Sequence, residues 1–237
     1  MQAVILAGGL GTRLGSMTAK APKAMMIVAG KPFIDYQVDL LRENGVDDLV
    51  VCVGYLGAQI ERHLGDGKGR GVRVRYSRDG PKLLGPAGAL KRAEGLLDDR
   101  FFVTYGDAYL RAPYGELMDD LVESGAPAVM AVFRNEGRYG RSDVAVEGGL
   151  VVRYDKKLKT PEMRWINFGV SALRREALAR VPVGREVGEE EFYGPLIKER
   201  GLRAFEVRER FYEIGTPESL AEFERLILGK KGQAAHE

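Results

Sequence analysis

Three short apolar runs, Ala3 to Leu6, Leu49 to Val53 and Phe101 to Val103, are each followed closely by glycine. Unbroken apolar runs of strand length are the habit of strands buried on both faces, as in parallel sheets. Between them the pattern changes to helical spacing. Phe33 to Asn44 sets Phe33, Ile34, Gln37, Val38 and Leu41 on one stripe and stops before Gly45, while Ala58 to Leu64 and Ala87 to Leu97 give two shorter helices. The alternation of strand and helix predicts an α/β chain with an open, mostly parallel, Rossmann-like sheet and helices on both faces. Ligands of such a sheet bind beyond the carboxyl ends of the strands.

The second half reads differently. Asp143 to Val146 and Leu150 to Tyr154 flank Glu147-Gly148-Gly149 as a hairpin, and Ile166 to Leu173 is a further strand, so a small antiparallel subdomain is expected there. Glu189 to Arg200 and Pro217 to Leu228 are amphipathic helices, the second opened by Thr216 as N-cap with Pro217 at its first position. Residues 1–229 are expected to form one domain, and 230–237 a disordered tail.

The chain is 45% hydrophobic and 30% charged, enough to fill one large core. Its net charge is only +2, so no excess calls for nucleic acid or an anionic membrane, and any anion must be recognised locally. No apolar run approaches the ~20 residues of a membrane helix. The one cysteine, Cys52, excludes an intramolecular disulfide and a multi-thiolate zinc site, which predicts a cytoplasmic protein and a small buried thiol. The 31 glycines are nearly twice the usual ~7%, and their placement directs the search for a site.

The first strand runs into Leu6-Ala7-Gly8-Gly9-Leu10-Gly11-Thr12-Arg13-Leu14. Glycines let several backbone N–H groups converge on an anion, and a guanidinium such as Arg13 holds two phosphate oxygens at once. Lys23 adds a second cation before any helix begins. The loop lacks the Gly-Lys pair of an ATPase P-loop. It also lacks the third glycine of a dinucleotide fingerprint, having Leu14 there, and no ribose-binding acid follows the second strand.

At these residues the sequence resembles the sugar-1-phosphate nucleotidyltransferases. Leu6 to Leu14, Thr18, Pro22-Lys23 and Gly30-Lys31-Pro32 match that family's opening pattern, with Ser16, Ala24 and Ile27 standing where proline is usual. Leu84 to Leu90 is similar to its base-binding segment, with Pro86 in place of threonine. Tyr105-Gly106-Asp107 resembles its metal-binding Gly-Asp, and Glu213 to Glu218 its second metal segment, with glutamate for aspartate. Asp155-Lys156 and Asn167-Phe168-Gly169 resemble its sugar-facing pairs. The stretches Asp79 to Gly85 and Thr160 to Arg164 look most like the short heptose-1-phosphate or mannose-1-phosphate guanylyltransferase branch.

The resemblance implies transfer of a nucleotidyl group from a nucleoside triphosphate to a sugar 1-phosphate. It implies Arg13 and Lys23 as catalytic cations, with Leu6, Ala7, Gly8, Gly9, Gly11, Thr12 and Gly88 at the nucleotide. It places Asp155, Lys156, Asn167 and Gly169 at the sugar phosphate, and Mg²⁺ on Asp107 and Glu213. The nucleophile is already an anion, so no histidine base is needed, in keeping with only His63 and His236. Rival readings are transfer to another phosphorylated alcohol such as phosphocholine, or a catalytically silent nucleotide-sugar-binding subunit. A glycosyltransferase is disfavoured by the lack of an Asp-x-Asp pair in a suitable loop. Asp119-Asp120 and Glu189 to Glu191 read as solvated helix acids.

Overall fold

A computed structural model describes residues 1–11 and 18–234. Nine strands build one sheet: β1 (Gln2–Ala7), β2 (Asp48–Val53), β3 (Arg73–Arg78), β4 (Arg100–Tyr105), β5 (Ala128–Arg134), β6 (Val144–Glu147), β7 (Leu150–Tyr154), β8 (Trp165–Arg174) and β9 (Leu202–Val207). Their spatial order is β3-β2-β1-β4-β8-β5-β9-β7-β6. The first four run parallel, Val4 opposite Val50 on one side and Val103 on the other.

Side chains of these strands alternate between two apolar layers. Ala3, Ile5, Leu49, Val51 and Phe102 face one layer, while Val4, Val50, Cys52, Phe101 and Val103 face the other. Helices α1 (Phe33–Glu43), α2 (Gly57–Leu64) and α4 (Tyr114–Ser124) cover the first face, and α3 (Gly85–Ala93) and α5 (Glu189–Lys198) the second. Both faces are thus buried, which is why those runs are apolar throughout rather than alternating.

The expected open, mostly parallel sheet needs correction. Strand β8 enters antiparallel between β4 and β5, and the last five strands close on themselves where Trp165 of β8 meets Val144 of β6. The sheet is therefore mixed, parallel at one end and barrel-like at the other. The turning point is in β8: its register on β5 shifts between Asn167 and Ser171, and Gly169 within that bulge has φ +94°. That backbone region is strained for any side chain, so glycine lets the ten-residue strand bend, the later half pairing with β4 and the first residue reaching β6. The predicted hairpin is β6–β7, turning through Gly148 and Gly149, both at positive φ.

Helix α6 (Pro217–Ala234) runs past the expected end at Leu228, so helical backbone occupies part of the stretch expected as a tail; residues 235–237 lie outside the described residues. Thr216 caps it as expected, Oγ1 accepting from the Ser219 N–H at 3.2 Å. Phe223 of this helix packs edge-on against Phe33 and Tyr36 of α1, with centroids at 5.0 and 5.6 Å. No helix among the described residues is long and apolar enough to cross a membrane.

Candidate active site

Adjacent strands β1 and β4 end side by side, because Gly106 N–H donates to Leu6 O at 2.9 Å. A Cβ on Gly106 would stand 2.9 Å from that of Ala7, so only glycine permits this approach. The contact brings Asp107, just past β4, to the mouth of the glycine loop.

Two cavities open there. The first, of about 300 Å³, is lined by Leu6, Ala7, Gly8, Gly9 and Gly11 together with Lys23 and Asp107. The second, of about 950 Å³, is lined by Lys156, Asn167, Gly169 and Glu213, and again by Asp107. Tyr105, Pro86 and Asp107 belong to both walls, so the cavities share a seam. Residues implicated by sequence 200 positions apart therefore converge on one place. Thr12 and Arg13 lie outside the described residues. Gly88 stands behind the wall: a Cβ there would come 2.5 Å from Arg185 O, so this glycine lets α3 pack against the segment leading into α5.

At the seam, Lys23 Nζ donates to Asp107 Oδ2 at 2.7 Å, both side chains being largely covered. Lys23 opens a 3₁₀ turn, Lys23–Met25, rather than preceding all helical structure. The short pair Ala108–Tyr109 with Tyr212–Glu213 sets Glu213 opposite Ala108, one residue from Asp107. Two carboxylates beside a wall that can admit phosphates are a donor set suited to magnesium, which takes one or two carboxylates plus phosphate and water.

The turn that carries Asp107 is held from beneath by a residue whose sequence signal was only a place on a helical stripe. Gln37 of α1 is 2% exposed, and its Nε2 donates to Tyr105 O at 2.7 Å and Ala108 O at 3.1 Å. An apolar side chain fits the same stripe, so periodicity cannot distinguish this clamp from a core contact.

In the second cavity the expected solvated acid Glu189 is corrected to a buried one, 8% exposed. Its carboxylate accepts from Tyr105 OH, from Tyr154 OH at 3.2 Å and from Lys156 Nζ. Burial, with the Glu189 charge adding to it, pushes the Tyr105 and Tyr154 phenols far above their ordinary pKa, keeping both as donors. Lys156 is thus oriented by a buried partner rather than lying on a charged face. Asn167 is fixed through its backbone N–H to Asp143 Oδ1 at 2.8 Å, and burial raises the Asp143 carboxyl to a pKa of about 6. Asp155 is set apart: its Oδ1 accepts from the Leu158 and Lys157 N–H groups, which hold its carboxyl below the usual range and make it a turn former. Cys52 is buried, and burial pushes its thiol up, as a small apolar residue requires.

A glycine-lined cavity and a polar cavity bearing both cations and carboxylates, meeting at Asp107 on a mixed α/β sheet, form a layout suited to a phosphate-handling transferase. The sequence matches the nucleotidyl transferase family over residues 2–228, and this chain belongs to that family. The D-glycero-alpha-D-manno-heptose 1-phosphate guanylyltransferase of Campylobacter jejuni is 29% identical over 94% of this chain and 98% of its own length. The mannose-1-phosphate guanylyltransferase of Mycobacterium tuberculosis is 30% identical over 92% of this chain, which spans only 62% of that longer protein. Among solved structures, HddC from Yersinia pseudotuberculosis superposes with TM-score 0.80 at 25% identity, covering 95% of this chain and 99% of its own. The same protein complexed with GMP-PN gives 0.78 at 26% identity, over 93% and 96%.

Proposed function

We propose that this chain transfers the nucleotidyl group of a nucleoside triphosphate to a sugar 1-phosphate, releasing pyrophosphate and a nucleotide sugar. The observation that carries this reading is the shared seam: a glycine-lined compartment and a polar, cation-bearing one meet at Asp107 and Lys23. The α-phosphate of the donor lies at that seam, with the acceptor phosphate entering from the second side. An anionic phosphate oxygen forms the new bond to phosphorus, the α–β anhydride bond breaks, and its electron pair leaves with pyrophosphate. No proton has to move.

The chain's task is to bring two polyanions together in line. Lys23 offsets charge at the α-phosphate, Arg13 at the leaving pyrophosphate, and Lys156 grips the acceptor phosphate from its seat on Glu189. Asn167 and Asp143 face the sugar hydroxyls. Asp107 and Glu213 would hold Mg²⁺, which neutralises phosphate charge when bound. A lone buried thiol fits work in a reducing cytoplasm.

The test is pyrophosphate release with each common nucleoside triphosphate against hexose and heptose 1-phosphates and phosphocholine, with magnesium. Release that requires both a nucleotide and a sugar 1-phosphate supports the reading. Release with phosphocholine alone, or with no pair although the folded protein binds nucleotide, overturns it.

A further inference from the structure

The turn between β2 and α2 grips the glycine loop at both ends. Tyr55 N–H donates to Gly8 O at 3.3 Å, and the Tyr55 hydroxyl donates to Ala19 O at 3.2 Å. One helical turn on, Gln59 Nε2 donates to the next carbonyl, Lys20 O, at 2.8 Å. Gly54 makes the approach possible, since a Cβ there would stand 2.7 Å from Gly8 O. Ala19 and Lys20 are exposed, so water would satisfy both carbonyls unaided. What two protein donors on successive carbonyls add is therefore place rather than satisfaction. Only Ala21 and Pro22 separate Lys20 from Lys23, and Pro22 is buried with its ring-fixed φ at −66°. A hold on Lys20 is thus a hold on the root of Lys23.

The turn is itself braced. Leu56 stands at φ +53°, a backbone region costly to any side chain that persists where the surroundings dictate it. Helix α2 buries Ile60 and Leu64 in the apolar layer beneath β2. Its His63 Nε2 lies 2.7 Å from Oδ1 of Asp35, a buried residue of α1 that Arg70 also meets at 2.9 Å. Helix α1 in turn carries Gln37, which clamps the turn bearing Asp107. One frame of two helices therefore sets both partners of the Lys23–Asp107 pair, Lys23 through Tyr55 and Gln59, Asp107 through Gln37. Tyr55 and Gln59 stand outside the walls of both cavities, so any effect they have on the reaction passes through the loop they hold. We propose that Tyr55 and Gln59 are positioning residues that hold Lys23 at the seam before any ligand arrives. This rests on the nucleotidyl-transfer reading of the site. A cation already in place needs no reorganisation as charge develops on the phosphate, which is where such a charge contributes most to rate.

The experiment is a double-mutant cycle on the full chain. Tyr55→Phe and Gln59→Met, singly and together, are made in wild type and in Lys23→Ala. Pyrophosphate release is measured alongside calorimetric titration with GTP, ATP, UTP, CTP and dTTP. Each lost hydrogen bond should lower kcat about 2- to 10-fold in the wild-type background, the scale of one net bond. With Lys23 gone, the same substitutions should cost under about 2-fold, whereas a general loosening of the fold would lower both backgrounds alike. Because both bonds are exposed, Tm should stay within about 4 °C of the parent. Undiminished kcat in Tyr55→Phe with Gln59→Met, or equal losses in the two backgrounds, overturns the assignment. Should wild type bind a nucleotide yet release pyrophosphate with no sugar phosphate, the transferase reading falls and the cycle is read on nucleotide affinity instead. There, a loss that vanishes in Lys23→Ala upholds the positioning role, and any other pattern removes it. A wild type that binds none of the five nucleotides overturns both.

Discussion

Replacing Glu189 by alanine tests whether the second compartment is organised around a buried acceptor. The substitution removes the oxygens shared by the Tyr105 and Tyr154 hydroxyls and by Lys156. Tyr154 is 7% exposed and Tyr105 is part-buried at the seam, so two phenol donors lose their partner in surroundings with little water. An orphaned buried donor costs about 1–3 kcal/mol, so the two together cost about 2–6 kcal/mol. The Lys156 side chain is half exposed, and its pairing adds under about 1 kcal/mol. Against an ordinary domain stability of about 5–15 kcal/mol, the loss is readily measured by denaturant unfolding at neutral pH. Adding Tyr105→Phe to the alanine variant removes one orphan and should recover part of the loss, which simple cavity formation would not allow. The same variants should raise the KM for the acceptor more than that for the nucleotide, because Lys156 is no longer oriented. Stability within about 0.5 kcal/mol of wild type would refute the buried acceptor and restore the solvated-acid reading.

Lys23→Ala should lower kcat by roughly 10²–10³-fold, the scale of one well-placed electrostatic donor, with little change in unfolding; wild-type turnover would remove it from the mechanism. The Asp143 carboxyl, raised to about 6 in the fold against an ordinary 3.8, makes the native state hold a proton that the unfolded chain releases. Its contribution to stability therefore falls as pH rises from about 4 to about 6 and is level above. Denaturation midpoints across that window should show this slope flattened in Asp143→Asn, and identical slopes would contradict it. Gly88→Ala should cost roughly 1–3 kcal/mol by driving Cβ against Arg185 O, while the folded fraction keeps its nucleotide affinity; a selective affinity loss would return Gly88 to the binding wall.

The strands with unbroken apolar runs were legible because both faces of the sheet are covered. By the same physics β5 carries the signal too, six buried residues in succession, and belongs with them. Strand β3, Arg-Val-Arg-Tyr-Ser-Arg, is an edge with polar alternation and gives only a weak run. The closure of the last five strands was hidden for a different reason. It depends on one bend at Gly169 and on which strand accepts β8 as neighbour, and periodicity along a chain contains neither. The site divides the same way. Loop chemistry marked Gly8 and Lys23, since several glycines followed by a cation suit an anion, and the family resemblance marked Asp107. Glu189 and Gln37 escaped because each occupies a position where an ordinary helix-terminal acid or core residue fits equally well.

What joins the two halves of the site is a hydrophobic contact remote from it. Asp107 is set by β4 and clamped by Gln37, both early in the chain, whereas Glu213 comes from a late segment with no place in the nine-stranded sheet. Their segments are joined where Tyr212–Glu213 pairs with Ala108–Tyr109 and Ile214 N–H donates to Asp107 O at 2.9 Å, and both residues line the second cavity. A two-residue ladder is too short to hold itself in water. Its support is the third apolar cluster, where Ile214 and Phe223 are fully buried with Phe33 and Val28, and Phe223 also packs on Tyr109 at 5.0 Å. Helix α6 thus acts as the clasp that fixes the second carboxylate, so the carboxylate pair depends on apolar packing between the first helix and the last.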